Sequence, residues 1–180
     1  EEMNYEQVCF FDVETSPTLS EVSNVLTPYA VECNDRLFYG QNCFSHFVDY
    51  LLQNKERFKY ICAYNGSGFD FYFLLNELVK RNIKVDNLIL NCGKLVSFEF
   101  EGIKCLDLYL FIMSSLDDAS HAFQLETKKG KFDHKKINTW IDVETYKHEW
   151  MPYLHDDVKV LSELFKTFNG MIYHICKTNI

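Results

Sequence analysis

Residues 8–17 read VCFFDVETSP. Residues 8–13 form a short apolar run that predicts a buried strand, and Thr15-Ser16-Pro17 ends it. Asp12 and Glu14 stand two apart, so the strand period turns both carboxylates to one face. Two acids on one face of a buried strand are costly without partners, and no Lys or Arg precedes Arg36. Acids at strand ends also occur without any function, so this pair needs support from elsewhere in the chain.

Working outward, residues 29–33 and 36–39 predict two more strands with Asn34-Asp35 as a hairpin turn. Phe44, Phe47, Val48, Leu51 and Leu52 give residues 43–53 helical spacing, and KYICAY (59–64) reads as another buried strand. Asn65-Gly66-Ser67-Gly68 is a loop, and Phe69 to Lys80 is helical, with Phe73, Leu74, Leu78 and Val79 on one side. Residues 86–91, 95–100 and 103–108 are strand candidates, 109–124 is helical in part, and the Lys-rich 127–138 is a loop. A last long helix runs from Pro152, placed at its first turn, to Cys176. The layout is mixed α/β, with helices flanking a sheet.

Two later segments offer acids that match the first pair. Asp70 opens the second helix, where an acid also simply complements the helix N-terminus. Tyr153 and Asp157 are four apart and share one side of the last helix. That side could equally be a solvated polar face, and the neighbours His155 and Asp156 compete for any role. Taken together, Asp12, Glu14, Asp70 and Asp157 could converge on two divalent cations, because hard ions such as Mg²⁺ take oxygen ligands. Two such ions serve phosphodiester hydrolysis, and a Tyr hydroxyl one turn from a ligand can orient the attacking water.

Here the sequence resembles the DEDD proofreading exonucleases, in their Tyr-containing subgroup. FFDVETS matches the first motif, AYNGSGFDFYFLL the second with its Asn-x-x-x-Phe-Asp, and YLHDD the third with its Tyr-x-x-x-Asp. Tyr153 lies four residues before Asp157, whereas Pro152 holds that place for Asp156. The His-containing subgroup needs a His five before its Asp, and neither acid has one. Within the family the likeness is to the protein-primed DNA polymerases of family B, found in viruses and linear plasmids. Their Lys-Gly-x-Phe-Pro-His-like stretch reads KKGKFDHKK here, with Lys129 at the matching Lys and Asp133 in place of the usual Pro. Asp107-Leu108 stands where the family often has Asp-Ser, which puts one polar contact to DNA in doubt.

The resemblance spans residues 8 to 170 and implies a ribonuclease H-like mixed sheet flanked by helices, an α/β fold. It implies a 3′→5′ exonuclease that uses two Mg²⁺ or Mn²⁺ ions held by Asp12, Glu14, Asp70 and Asp157. Tyr153 and Lys129 would assist the chemistry, and Thr15, Asn65 and Phe69 would contact the 3′-terminal nucleotides. Its partners would be the 3′ end of single-stranded DNA and a covalently linked polymerase domain. Residues 1–180 would form one exonuclease domain; the chain opens on Glu1-Glu2 and reads as a piece of something larger. An exoribonuclease of the same superfamily, a phosphodiesterase of short oligonucleotides and a non-catalytic nucleic-acid binding module remain as alternatives.

The bulk numbers qualify this reading. Net charge is −8, which by itself disfavours phosphate binding, yet five of the 18 Lys and Arg fall within residues 128–136. Bound metals would also present positive charge to a phosphate. The seven cysteines form no C-x-x-C pair, and most sit in apolar runs, where free Cys behaves as a small hydrophobe. With no signal peptide and no membrane span, they point to a reducing intracellular compartment.

Overall fold

The computed structural model describes residues 1–20, 22 and 25–180. Strand β1 (Val8–Ser16) alternates between two apolar clusters. Cys9, Phe11 and Val13 join the cluster that holds α1 (Cys43–Gln53) and α2 (Asp70–Lys80). Val8 and Phe10 join the other, with α6 (Lys147–Cys176). Asp12 and Glu14 continue the Val8–Phe10 row, so period two aims them toward α6.

The sheet that separates these clusters has seven strands, in the order β3-β2-β1-β4-β7-β6-β5. β2 (Thr27–Cys33) and β3 (Arg36–Tyr39) form the expected hairpin beside β1. β4 (Tyr60–Ala63) and β7 (Ile103–Asp107) run parallel to β1. β5 (Asp86–Asn91) and β6 (Lys94–Phe100) complete the far edge as antiparallel strands. The parallel trio matters for function, since Glu14, the Asn65 loop and Asp107 all lie at the same, C-terminal, end of it. Ligand crevices form at that end of parallel strands.

Two features depart from the sequence expectation. The last helix begins at Lys147, not Pro152, which lies inside it on the exposed side. Pro152 cannot bond to the His148 carbonyl, but solvent can reach that group. What fixes the early start is Trp150, fully buried, whose Nε1 donates to the Val143 carbonyl at 2.8 Å. Val143 belongs to α5 (Trp140–Thr145), a short helix that hydrophobic periodicity does not reveal but whose capping box Thr139–Asp142 is legible. The short helices α3 (Tyr109–Ile112) and α4 (Leu116–Ala122) divide the segment expected to be helical in part.

The second departure concerns the cysteines. Five are free, but Cys9 and Cys33 are joined as a disulfide. The β1–β2 register places Cys33 opposite Phe11, diagonal to Cys9, and the two Cα atoms stand 6.0 Å apart. A separation of 24 residues leaves no local signal for such a pair.

Candidate metal centre and substrate cleft

α6 carries its buried stripe at three- and four-residue intervals: Trp150, Tyr153, Leu154, Asp157, Val158, Leu161. Tyr153 and Asp157 therefore face the sheet and not solvent, and the solvated-face alternative does not hold. Asp157 is buried, while Asp156 and His155 sit further out. Glu14 is buried as well, and Asp12 keeps some exposure to the cleft. Carboxylate oxygens of Asp12, Glu14 and Asp157 all lie within 4.8 Å of one another. Asp70, the first residue of α2, is buried beside Asp12 but stands outside that tight group.

A β-bulge adjoins the acids. Glu14 pairs with Ala30 and Thr15 with Pro28, so Tyr29 is the extra residue. Bulges twist a strand locally and re-aim its side chains. The Tyr29 hydroxyl ends up buried and unpartnered, near enough to Glu14 and Tyr153 for both to oppose its ionisation.

The electrostatics follow from packing acids together. Burial, then the charge of Asp12, pushes the Asp157 carboxyl up to about 8. Burial, then Asp12 and Asp157, raises Glu14 well above the usual carboxylate range, and burial, then Asp12 and Asp107, does the same to Asp70. Burial also raises Asp12. Tyr153 is pushed up to about 12, by burial first and Asp157 second. Lys129 answers this charge directly, with its Nζ 3.7 Å from Asp157 Oδ2 and 5.5 Å from the centre of the Tyr153 ring. Burial opposes the Lys129 charge, but Asp157, Tyr153 and Asp12 together raise its pKa.

The Lys129 loop is pinned at both ends. Thr127 donates from its N and Oγ1 to Glu163 on α6, at 3.1 and 2.7 Å. Ser16 Oγ donates to the Ile137 carbonyl at 2.7 Å. His134, absent from the sequence-derived site, stands with Nδ1 3.6 Å from Glu14 Oε2 and its ring edge-on to Tyr153. Burial and Lys129 lower its pKa.

All nine residues singled out from the sequence line one cleft of about 660 Å³: Asp12, Glu14, Thr15, Asn65, Phe69, Asp70, Lys129, Tyr153 and Asp157. Phe69 is half exposed at the rim and not packed in the core. Tyr64, Tyr109 and Ser114 extend the wall on its side; none carries a sequence signal of its own.

The acids fit a divalent cation. Their oxygens converge, and Asp157 Oδ1 is buried with no hydrogen-bond partner. An orphaned buried carboxylate oxygen calls for a cation or a proton. An all-oxygen donor set suits Mg²⁺ or Mn²⁺.

Residues 51–149 match the family described as DNA polymerase type B, organellar and viral. A DNA polymerase of Kluyveromyces lactis is 30% identical over 124 residues, 63% of this chain, and the match covers 12% of that protein. Among solved structures, phi29 DNA polymerase complexed with single-stranded DNA superposes with a TM-score of 0.66 at 14% identity, over 92% of this chain and 32% of that one. The family B DNA polymerase of the archaeon Pyrobaculum calidifontis gives 0.61 at 18% identity, over 92% and 24%. The fold shared with these structures is the ribonuclease H-like one. The chain belongs to the organellar and viral type B DNA polymerases.

Proposed function

We propose that the chain is a metal-dependent 3′→5′ exonuclease, the editing part of a DNA polymerase. It removes the terminal nucleotide of a single-stranded DNA 3′ end as a nucleoside 5′-monophosphate. The observation that carries this reading is the set of uncompensated acids on the floor of a cleft. Asn65 and Phe69 wall that cleft on one side and the Lys129 loop on the other. Asp12, Glu14 and Asp157 would hold one divalent ion, and Asp12 with Asp70 the other, partly through water. Bound there, Mg²⁺ or Mn²⁺ supplies positive charge to the scissile phosphate and acidifies a water.

The chain's own residues orient the reactants. In the hydrolysis, water oxygen bonds to phosphorus, the P–O3′ bond breaks, and the leaving 3′ oxygen takes up a proton. The Tyr153 hydroxyl stays protonated at neutral pH, so it can both donate to and accept from the attacking water. Lys129 adds a positive charge beside the phosphate once the acids are occupied. Phe69 offers its face to a terminal base, and Thr15 and Asn65 can bond sugar and phosphate oxygens.

The test is incubation of the chain with 5′-labelled single-stranded DNA, with and without Mg²⁺ or Mn²⁺, beside an RNA arm. The expected result is stepwise shortening of DNA that needs the metal and is lost in Asp12→Ala/Glu14→Ala with the fold retained. Full activity in that double variant refutes the assignment, and preferred shortening of RNA reassigns the substrate.

A further inference from the structure

Asp107 closes strand β7 and is 2% exposed, yet it belongs to no ion pair among the described residues. Its oxygens are instead filled by donors from two segments of one cleft wall. Oδ1 accepts from Asn65 N at 2.8 Å and from Tyr109 N at 3.1 Å. Oδ2 accepts from Ser67 N at 2.9 Å and from Ser67 Oγ at 2.6 Å. Asn65 has φ of +60°, in the left-handed region that Asn enters more readily than most non-glycine residues. Gly66, next in the loop, has no room for a side chain, since a Cβ there would lie 2.9 Å from Ala63 Cβ and from the Phe71 ring.

We propose that Asp107 is a positioning residue for DNA. It fixes the Asn65–Phe69 loop against the Tyr109 segment, so that both segments meet the 3′-terminal nucleotides as one preformed surface. The proposal rests on the exonuclease reading for its substrate. A carboxylate suits the task because two oxygens can take four donors, whereas an amide offers one accepting oxygen. Without it, each DNA molecule would have to order the loop on binding, and affinity would fall by that ordering free energy.

The test measures binding and turnover separately. Binding of a fluorescein-labelled single-stranded oligonucleotide is read by anisotropy in Ca²⁺, and hydrolysis in Mn²⁺. Asp107→Ala is expected to weaken binding about tenfold and to raise KM by a similar factor, with kcat within about threefold. Asp107→Asn retains an oxygen for Asn65 and Tyr109 and should fall between the two. The Mn²⁺-induced rise in melting temperature should match wild type in both variants. Wild-type affinity in a folded Asp107→Ala overturns the proposal. So does a fall in kcat at unchanged KM, or a lost Mn²⁺ shift, either of which would move Asp107 into the metal centre. If Asp107→Ala does not fold, Asp107→Asn and Ser67→Ala decide, and wild-type affinity in both refutes it. A wild-type chain that binds DNA in Ca²⁺ but never shortens it removes the exonuclease reading and leaves this one standing. A chain that binds no DNA removes both.

Discussion

Asp157→Asn should stabilise the metal-free chain while destroying its activity. In the folded chain Asp157 is buried, with Oδ1 unpartnered, and its carboxyl is pushed up to about 8. In the unfolded chain it titrates near 3.9. The folded state therefore holds more protons between these values, so stability falls as pH rises through that window. At pH 7 the unfolded chain gains about 3 pH units of ionisation that the folded one forgoes, a ceiling of about 4 kcal/mol. Asp12, Glu14 and Asp70 share protons with Asp157, which brings the expected effect to about 2 kcal/mol. Loss of the partly exposed Lys129 contact subtracts less than about 1 kcal/mol.

Asparagine keeps the shape of the side chain and cannot ionise. In EDTA the variant should melt about 4–8 °C above wild type at pH 7. The gap should widen toward pH 8 and close below about pH 4. Mn²⁺ should raise the melting temperature of wild type, more at pH 8 than at pH 5.5, and raise that of the variant less, since Asp12 and Asp70 remain. A variant less stable than wild type at pH 7–8 in EDTA, or a gap that ignores pH, would mean that the acids are compensated within the protein. The case for a metal would then lose its physical basis.

Tyr153→Phe keeps the ring that packs against His134 and Lys129 and removes the hydroxyl. It should lower kcat by about 10²-fold with KM and the Mn²⁺ shift unchanged, and unaltered single-turnover rates would remove Tyr153 from the chemistry. Gly66→Ala forces a Cβ to 2.9 Å from Ala63 and Phe71. It should cost about 1–3 kcal/mol in urea unfolding, whereas a neutral effect would show that the loop can shift freely.

The legible parts of the fold were those where one periodicity ruled. β1 is the buried strand that its apolar run predicts, α1 spans the residues its apolar spacing predicts, and the Asn34-Asp35 turn closes the hairpin. Where tertiary contacts overrode local signals, the sequence misled. Pro152 reads as a helix start, yet the buried Trp150 draws the helix back to Lys147. Strand β5, DNLILN, was readable as a strand, but nothing in it tells that every residue would be exposed at the sheet edge. In the site, the motif resemblance selects Asp157 over Asp156, and Asp157 is the more buried of the two. Asp107 was legible only as a motif departure beside Leu108, because its work is done through backbone amides that no sequence pattern displays.

Burial of an acid does not by itself mark a metal site, and this chain contains the contrast that shows why. Glu32 faces Asp12 across the β1–β2 pair and is as buried as Glu14, but His155 Nδ1 lies 3.1 Å from its carboxylate. Asp107 is buried deeper still, and four donors fill its oxygens. Both acids are compensated within the protein. Among Asp12, Glu14 and Asp157, Lys129 lies 3.7 Å from Asp157 and His134 3.6 Å from Glu14, with the His134 pKa lowered, and Asp157 Oδ1 is left with nothing. The three acids also interrupt rows that are otherwise apolar, after Val8 and Phe10 on β1 and beside Leu154 and Val158 on α6. A sequence that breaks its own packing pattern without a compensating partner has kept the place for something it binds. The unmet charge, more than the burial or the count of acids, is what supports the proposed cation in this cleft and, through it, the proposed phosphate substrate.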